Sequence, residues 1–289
     1  MTTPVLATGL SGLVGTRVRD LLSHSFDFED LSLATDIDIT QIQQVEKAFD
    51  ASPARVVLHL AAKTDVDSCE DDKLLAEEGQ AWRVNVIGTE NIAAAAQKFG
   101  KRVIYISTDF VFDGTKESYS EEDKPNPISW YGYTKFIGEE KLTSCDVDVT
   151  IVRISYPYRS RNNVREDFVH RLIDTMKNNK KVYGLTDHIF TPTFIDDIAN
   201  NLSLFLSKNL PGIYHLVGSS SMPTIEAVKL VRDVYHLQAE IIPIDRQTYF
   251  RNRAFRPFKL ALKNDKIRKL GLKMSAFIDG LKEIRKQDS

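Results

Sequence analysis

The sequence is short of cysteine: Cys69 and Cys145 are the only two in 289 residues, too few for a disulfide framework. With no secretory pattern in the opening MTTPVLATGL, they read as reduced thiols of a cytoplasmic protein. Long apolar runs are missing as well. Stretches such as VVLHLAA (56–62) fall far short of the roughly 20 residues that cross a bilayer, so no membrane partner is expected. There is no excess of positive charge: 38 Lys and Arg face 40 Asp and Glu, a formal net charge of −2. A nucleic-acid binder would carry a basic footprint, and this chain has none. The six histidines lack paired ligand spacing. Asp65, Asp67, Glu70, Asp71 and Asp72 cluster without a histidine, so they are read as helix-start and surface acids, and no metal is expected. Internal repeats, low-complexity tracts and Gly/Ser- or Pro-rich linkers are also lacking.

What is present is alternation. Short apolar runs, PVLATG (4–9), LSLAT (31–35), ARVVLHLA (54–61), RVIYIST (102–108) and VTIVRIS (149–155), predict strands. Between them, 14–24, 39–49, 82–99 and 130–142 place apolar residues at helical spacing. This pattern specifies an α/β fold: a Rossmann-like, doubly wound parallel sheet. The polar stretch 112–129 is the one long loop, of a length that is usually functional. After about residue 156 the pattern loosens into a helix (167–179), a strand (181–185), a helix opening near Asp196, a strand (212–218) and a helix (224–237). Residues 1–156 are therefore expected to form the dinucleotide-binding domain, with parts of 180–218 interleaved. Residues 157–289 mainly form a smaller C-terminal substrate lobe.

The first strand runs into Thr8-Gly9-Leu10-Ser11-Gly12-Leu13-Val14-Gly15, with the spacing G-x-x-G-x-x-G. A glycine turn opening a helix sets backbone N–H groups and the positive end of the helix dipole beside a diphosphate. Gly9, Ser11, Gly12, Leu13, Val14 and Gly15 are thus candidates to hold NAD or NADP. Asp36, placed at the end of the second expected strand, suits the adenosine ribose hydroxyls and would repel a 2′-phosphate. Asp38 and Ile39 lie beside the adenine edge, and Asp38 is also a candidate helix N-cap. Arg17 and Arg19 leave a 2′-phosphate within reach, so NADH and NADPH both stay open.

Tyr131 and Lys135 stand four apart on an expected helix and share one face. A phenol near its usual pKa of about 10 needs a nearby ammonium to act as an acid–base group at neutral pH. Thr108, closing a strand, supplies a hydroxyl for a substrate oxygen, while Tyr131 delivers the proton that accompanies a hydride. Tyr133 competes for the role but stands only two residues from Lys135. Asp109, Phe110, Val111 and Tyr156, at or just past strand ends, are substrate-side candidates. Arg251, Arg253 and Arg256 are candidates for a diphosphate clamp, with Arg256 foremost. His188 either lines the substrate pocket or caps a turn.

TGLSGLVG, the Ser-Thr pair at 107–108 and YGYTK resemble the extended short-chain dehydrogenase/reductases. LHLAAKTDVDSCE (58–70), ISTDFVFDG (106–114), YSEEDKPNPISWYGYTKFIGEE (119–140) and TPTFIDDIA (191–199) resemble, more narrowly, the dTDP-4-dehydrorhamnose reductases. The resemblance implies that Thr108, Tyr131 and Lys135 form the catalytic triad. It also implies that Leu60, Ala61, Ala62 and Lys63 lie along the cofactor. The implied reaction is NADH- or NADPH-dependent reduction of the 4-keto group of a nucleotide-activated 6-deoxy sugar. Lys63 departs from the family, which commonly has a tyrosine there. Two other activities share this scaffold: a sugar-nucleotide epimerase or dehydratase, and a regulatory subunit like that of methionine adenosyltransferase. The expected assembly is a monomer or homodimer.

Overall fold

The computed structural model describes residues 2–161, 164–251 and 253–289. Strands β1 (Thr3–Thr8), β2 (Phe26–Leu31), β3 (Val56–His59), β4 (Arg102–Thr108) and β5 (Val149–Ile154) join a sixth strand, Gly212–His215. Every pairing among them is parallel. Their order across the sheet is Gly212–His215, β5, β4, β3, β1, β2. The order reverses between β3 and β1, and a crevice opens beyond the carboxyl ends of strands at such a reversal. This is the doubly wound Rossmann-like sheet that the alternating pattern predicts.

Side chains alternate across the sheet and feed two cores. Val5, Ala7, Ile104, Ile106 and Val152 face helices α1 (Leu13–Leu22) and α8 (Ile195–Ser207), through Val18, Leu22, Leu202 and Phe205. Leu6, Val57, Val103, Tyr105 and Ile151 face the opposite way, toward α2 (Ile42–Ala51), α5 (Gly88–Phe99) and α6 (Trp130–Thr143). β3 and β4 are covered on both faces, which is why they read as near-continuous apolar runs. α3 (Val66–Asp72) starts on Asp65, whose carboxylate accepts the Ser68 N–H at 2.8 Å. α4 (Gln80–Trp82) leads through a π-helical segment, Arg83–Ile87, into α5.

The chain leaves this sheet after β5 and returns to it with α8 and Gly212–His215. Arg17 on α1 grips Asp196 on α8 through two hydrogen bonds of 2.6 Å. A third core joins Tyr158, Phe190, Phe194 and Phe277 to α7 (Phe168–Asn179) and α9 (Thr224–Val234). Asp167 caps α7 by accepting from the N–H groups of Val169 and His170. Beside this core, Lys181–Leu185 pairs in parallel with Glu240–Ile244. No helix among the described residues is long and apolar enough to cross a membrane.

Two expected elements differ. The second strand is FDFEDL (26–31), not LSLAT (31–35). Reciprocal capping between Ser32 and Thr35 closes a 3-10 turn over Leu33–Thr35 and overrides the apolar character of that stretch. The helix expected over 39–49 starts at Ile42, because Asp38 spends its carboxylate on Thr40 instead of capping it.

Leu202, fully buried between α8 and the sheet, carries the clearest stability expectation. Leu202→Ala should cost about 2–5 kcal/mol in urea denaturation. Leu74→Ala, at a site 94% exposed, should stay within about 0.5 kcal/mol of the parent; equal losses at both sites would refute this core.

Candidate active site

At the end of β1 the chain turns on Gly9, whose φ of +71° is left-handed. A Cβ there would lie 2.5 Å from the Ala61 nitrogen, so the turn and the segment after β3 touch backbone to backbone. The N–H of Gly12 closes the turn on the Gly9 carbonyl at 3.1 Å. α1 then begins with Gly12 as an N-cap that offers no side chain. Ser11 and Gly12 are exposed, Leu13 and Val14 half-buried, and Gly15 is buried against the Gly9 carbonyl. The first N–H groups of α1 therefore face outward without a capping oxygen, in a cradle shaped for an anion.

The neighbouring segment is held from two sides. Leu60 N–H donates to the Thr8 carbonyl and Ala61 N–H to Thr8 Oγ1. Asn85, in the π-helical segment, receives the Lys63 N–H on Oδ1 at 2.8 Å. Its Nδ2 donates to the Lys63 carbonyl and to Thr134 Oγ1 on α6. Asn85 thus ties the segment 60–63 to the helix carrying Tyr131 and Lys135, a link that sequence spacing missed. The only signal was an asparagine between two valines, in VNV (84–86). The Lys63 ammonium reaches Gln80 at 2.9 Å and Asp72 at 3.3 Å, so it lies along α3 and α4.

The region after β2 requires corrections. Asp36 is not at a strand end: it lies beyond the 3-10 turn, exposed, with a left-handed backbone. The acid at the end of β2 is Asp30, which accepts from Ser32 Oγ on Oδ2 while its buried Oδ1 has no partner. Asp38 accepts from the N–H and hydroxyl of Thr40. Ile39 is buried in the second core against Gly88. Arg17 is committed to Asp196 and does not reach toward a 2′-phosphate.

Thr108, Tyr131 and Lys135 converge at the carboxyl end of β4. α6 starts on Ser129, whose Oγ accepts the Gly132 N–H. A Cβ on Gly132 would meet the Phe110 carbonyl at 2.1 Å, and this close approach lays Tyr131 against the strand end. The Tyr131 ring meets Phe110 edge-on at 5.6 Å. Burial raises the Tyr131 phenol well above its usual range, and the nearby Thr108 hydroxyl works against that rise. Lys135 is buried, donates to the Ile106 carbonyl at 2.8 Å and lies 3.9 Å from the centre of the Tyr105 ring. Burial pulls it down to about 7, with Glu139 opposing. Its ammonium is thus engaged beneath the helix, instead of resting on the phenol as the four-residue spacing suggested. Tyr133 points away, stacked on Trp130 at 5.4 Å.

Asp109 is a buried partner of Thr108, not an exposed turn residue. It accepts from Thr108 Oγ1 at 3.0 Å and from Ser155 Oγ at 2.6 Å, and burial raises it to about 6. Phe110 and Val111 are buried beside it in a small apolar cluster. Tyr156 adopts φ +40°, a strained backbone for a bulky residue, and its hydroxyl meets His188 Nε2 at 3.2 Å. Burial, with Arg246 and Arg256 nearby, lowers His188 to about 4. Arg256 donates to Asp67 Oδ1 and to the Ala254 carbonyl, both at 2.8 Å, so its guanidinium fastens the C-terminal loop to α3. Arg253 lies over Tyr249, while the guanidinium of Arg246, unforeseen from the sequence, is packed between Phe255 and Phe258.

Gly9→Ala should abolish dinucleotide affinity, measured by titration of NADH fluorescence, because the methyl group strikes the Ala61 backbone; binding within threefold of the parent would contradict the cradle. Ser155 is the strongest hydrogen-bonding support of ionised Asp109. Ser155→Ala should therefore move the Asp109 titration to higher pH, read as the carboxyl carbon shift in NMR. A native acid titrating above its unfolded value takes up its proton earlier as pH falls, so this group's destabilising burial is relieved on acidification. The relief should begin at a higher pH in the variant.

The chain matches the model of the RmlD substrate binding domain family over residues 2–289. It is 27% identical over 289 residues to the spore coat polysaccharide biosynthesis protein SpsK of Bacillus subtilis, covering 99% of this chain and 98% of that one. It is 28% identical to the methionine adenosyltransferase 2 subunit beta of Xenopus laevis, covering 96% and 86% of the two chains. Among solved structures, the dTDP-4-dehydrorhamnose reductase of Bacillus anthracis in complex with NADP superposes with a TM-score of 0.90 at 28% identity, over 99% of this chain and 100% of that one. With a family match that runs almost end to end, on a sheet and strand-end site of this kind, the chain belongs to the RmlD substrate binding domain family.

Proposed function

We propose that this protein is an NADH-dependent reductase of the 4-keto group of a nucleotide-activated 6-deoxy sugar. The observation that carries the reading is the convergence of Thr108, Tyr131 and Lys135 at the carboxyl end of β4. The same end of the sheet carries the uncapped glycine turn, near the reversal of strand order. The residues present fit a dinucleotide: the turn leaves backbone N–H groups open to a diphosphate, and Gly9 leaves no side chain in the way. The reduced nicotinamide, when bound, supplies the hydride.

The chain's own groups account for the rest. Its buried phenol stays protonated at neutral pH, so Tyr131 acts as the acid that delivers a proton to the ketone oxygen as it becomes the alcohol. Thr108 stands beside that oxygen, fixed at the strand end by Asp109 and Phe110, and its hydroxyl turns to donate to the oxygen when Asp109 is protonated. Lys135, anchored on the Ile106 carbonyl, supplies a buried cation toward the ribose of the nicotinamide. Tyr156, His188 and Arg256 shape the sugar side. The preference for NADH rests on Asp30 at the end of β2, whose Oδ1 has no partner, on residues 31–40 that carry acids and no lysine or arginine, and on the engagement of Arg17 by Asp196. A 2′-phosphate would meet acids there.

A second reading, a binding subunit that stabilises a partner, is favoured by the likeness to a methionine adenosyltransferase subunit over 96% of this chain. One experiment separates the two: oxidation of NADH and of NADPH, followed by absorbance, with a panel of dTDP-4-keto-6-deoxy sugars. The expected outcome is stoichiometric oxidation with kcat/KM at least about tenfold higher for NADH, and a loss of roughly 10²–10⁴ in turnover for Tyr131→Phe with NADH affinity retained. Cofactor left unconsumed across the panel, together with a stable co-purifying protein, would overturn the reductase in favour of the subunit.

A further inference from the structure

One buried ion pair lies directly behind the reacting groups. Tyr131, Lys135 and Glu139 follow one another at four-residue spacing on α6, so all three project from one face. Glu139 is buried, and both its oxygens are taken by Arg153 of β5: Nε to Oε1 at 2.9 Å and Nη2 to Oε2 at 2.6 Å. Arg153 is itself 1% exposed, lies near the Phe112 ring, and keeps Nη1 without a partner. A buried pair of this kind seldom adds stability over apolar residues of the same volume, so stability alone does not explain it.

One helical turn before Glu139, on the same buried face of α6, stands Lys135. Around that ammonium are His59 of β3 and the Tyr105 ring and Ile106 carbonyl of β4, while Tyr131 and Glu139 stand one turn to either side of Lys135 on α6. His59 is neutral, lowered to about 3 by burial and by Lys135 itself. Both tyrosines are buried and protonated at neutral pH. Glu139 is thus the negative charge that opposes the desolvation of Lys135. The Ile106 carbonyl takes one of its three N–H donors, leaving two for ligand or water.

We propose that Glu139, clamped by Arg153, is a positioning residue for Lys135: it fixes a counter-charge one helical turn from the ammonium, beneath the nicotinamide end of the site. The inference rests on the dinucleotide and triad reading above. It adds a third level to the apparatus: Arg153 fixes Glu139, Glu139 sustains Lys135, and Lys135 serves the ribose.

The test is the pH dependence of NADH affinity, read by fluorescence in the full-length protein, alongside the alkaline limb of kcat/KM. In Glu139→Gln both limbs should move to lower pH by on the order of one unit, and Glu139→Asp should recover part of the shift. Glu139→Gln leaves Arg153 unpaired, so the double variant Glu139→Gln/Arg153→Met, which removes that unpaired guanidinium, carries the same expectation if the single one fails to fold. A folded variant whose affinity limb coincides with that of the parent would overturn the proposal. Failure of the reductase reading looks different: no keto sugar is reduced, while the NADH affinity limb still shifts. A purely structural role would lower the melting temperature and leave the limb in place.

Discussion

The site depends on the contact made where the sheet reverses direction: Ala61 N–H on Thr8 Oγ1, with Gly9 pressed against the same backbone. The direction of the bonds beyond it is set at their far end. The Asn85 carbonyl can only accept, so Thr89 donates to it at 2.7 Å and receives the Nε2 proton of His59 at 3.0 Å. The neutral ring accepts from Thr8 Oγ1 on Nδ1 at 2.7 Å. Asn85 in turn holds Lys63 and Thr134. A chain of fully used donors and acceptors so runs from the glycine turn to the helix that carries Tyr131. It requires a neutral His59, and complete burial beside Lys135 keeps it neutral.

Burial is the common cause of the site's electrostatics. The low-dielectric end of β4 penalises every charge, so Asp109 rises toward 6, Lys135 falls toward 7 and His188 falls toward 4. Interior charges that persist are paired or held by carbonyls: Arg153 by Glu139, Arg17 by Asp196, Lys101 by the Ser52 and Ala54 carbonyls. The shifted groups surround Thr108 and Tyr131, while the exposed pairs of the surface, such as Lys229 with Glu226, lie elsewhere and contribute little. Asp109 occupies a middle position. Its ionised form draws the Thr108 proton toward the protein interior, and its protonated form releases that hydroxyl toward the cleft.

The features legible in the sequence are those encoded by local periodicity. β4 and its terminal Thr108 were readable because both faces of the strand are covered, and the glycine turn because it joins β1 to α1 directly. Tyr131 and Lys135 were readable as one helical face. The second strand was misplaced because a four-residue capping arrangement, Ser32 with Thr35, outweighs the apolar character of LSLAT. Asp36 and Asp38 shifted with it. Arg17 and Arg256 looked available because spacing does not reveal a partner 179 or 189 residues away; each found one, Asp196 and Asp67. Asn85, Glu139 and Arg153 were invisible for the same reason, since their roles exist only once α5, α6 and β5 are stacked.

Tyr156 is the extreme of that rule. It leaves β5 with a left-handed backbone, and its carbonyl accepts the Thr193 N–H at 3.2 Å. Its ring is surrounded by Phe110, Phe168, His188 and Phe190. Those neighbours come from the first sheet, from α7 and from the return toward α8, so no window of sequence contains the environment that makes Tyr156 worth its strain. The strained residue is also the joint between the Rossmann-like sheet and the lobe around the third core. A change at His188 or Phe190 acts on the backbone that leads directly back to Ser155, Asp109 and Thr108. The packing around Tyr156 and the placement of the Thr108 hydroxyl are therefore linked through one short stretch of chain.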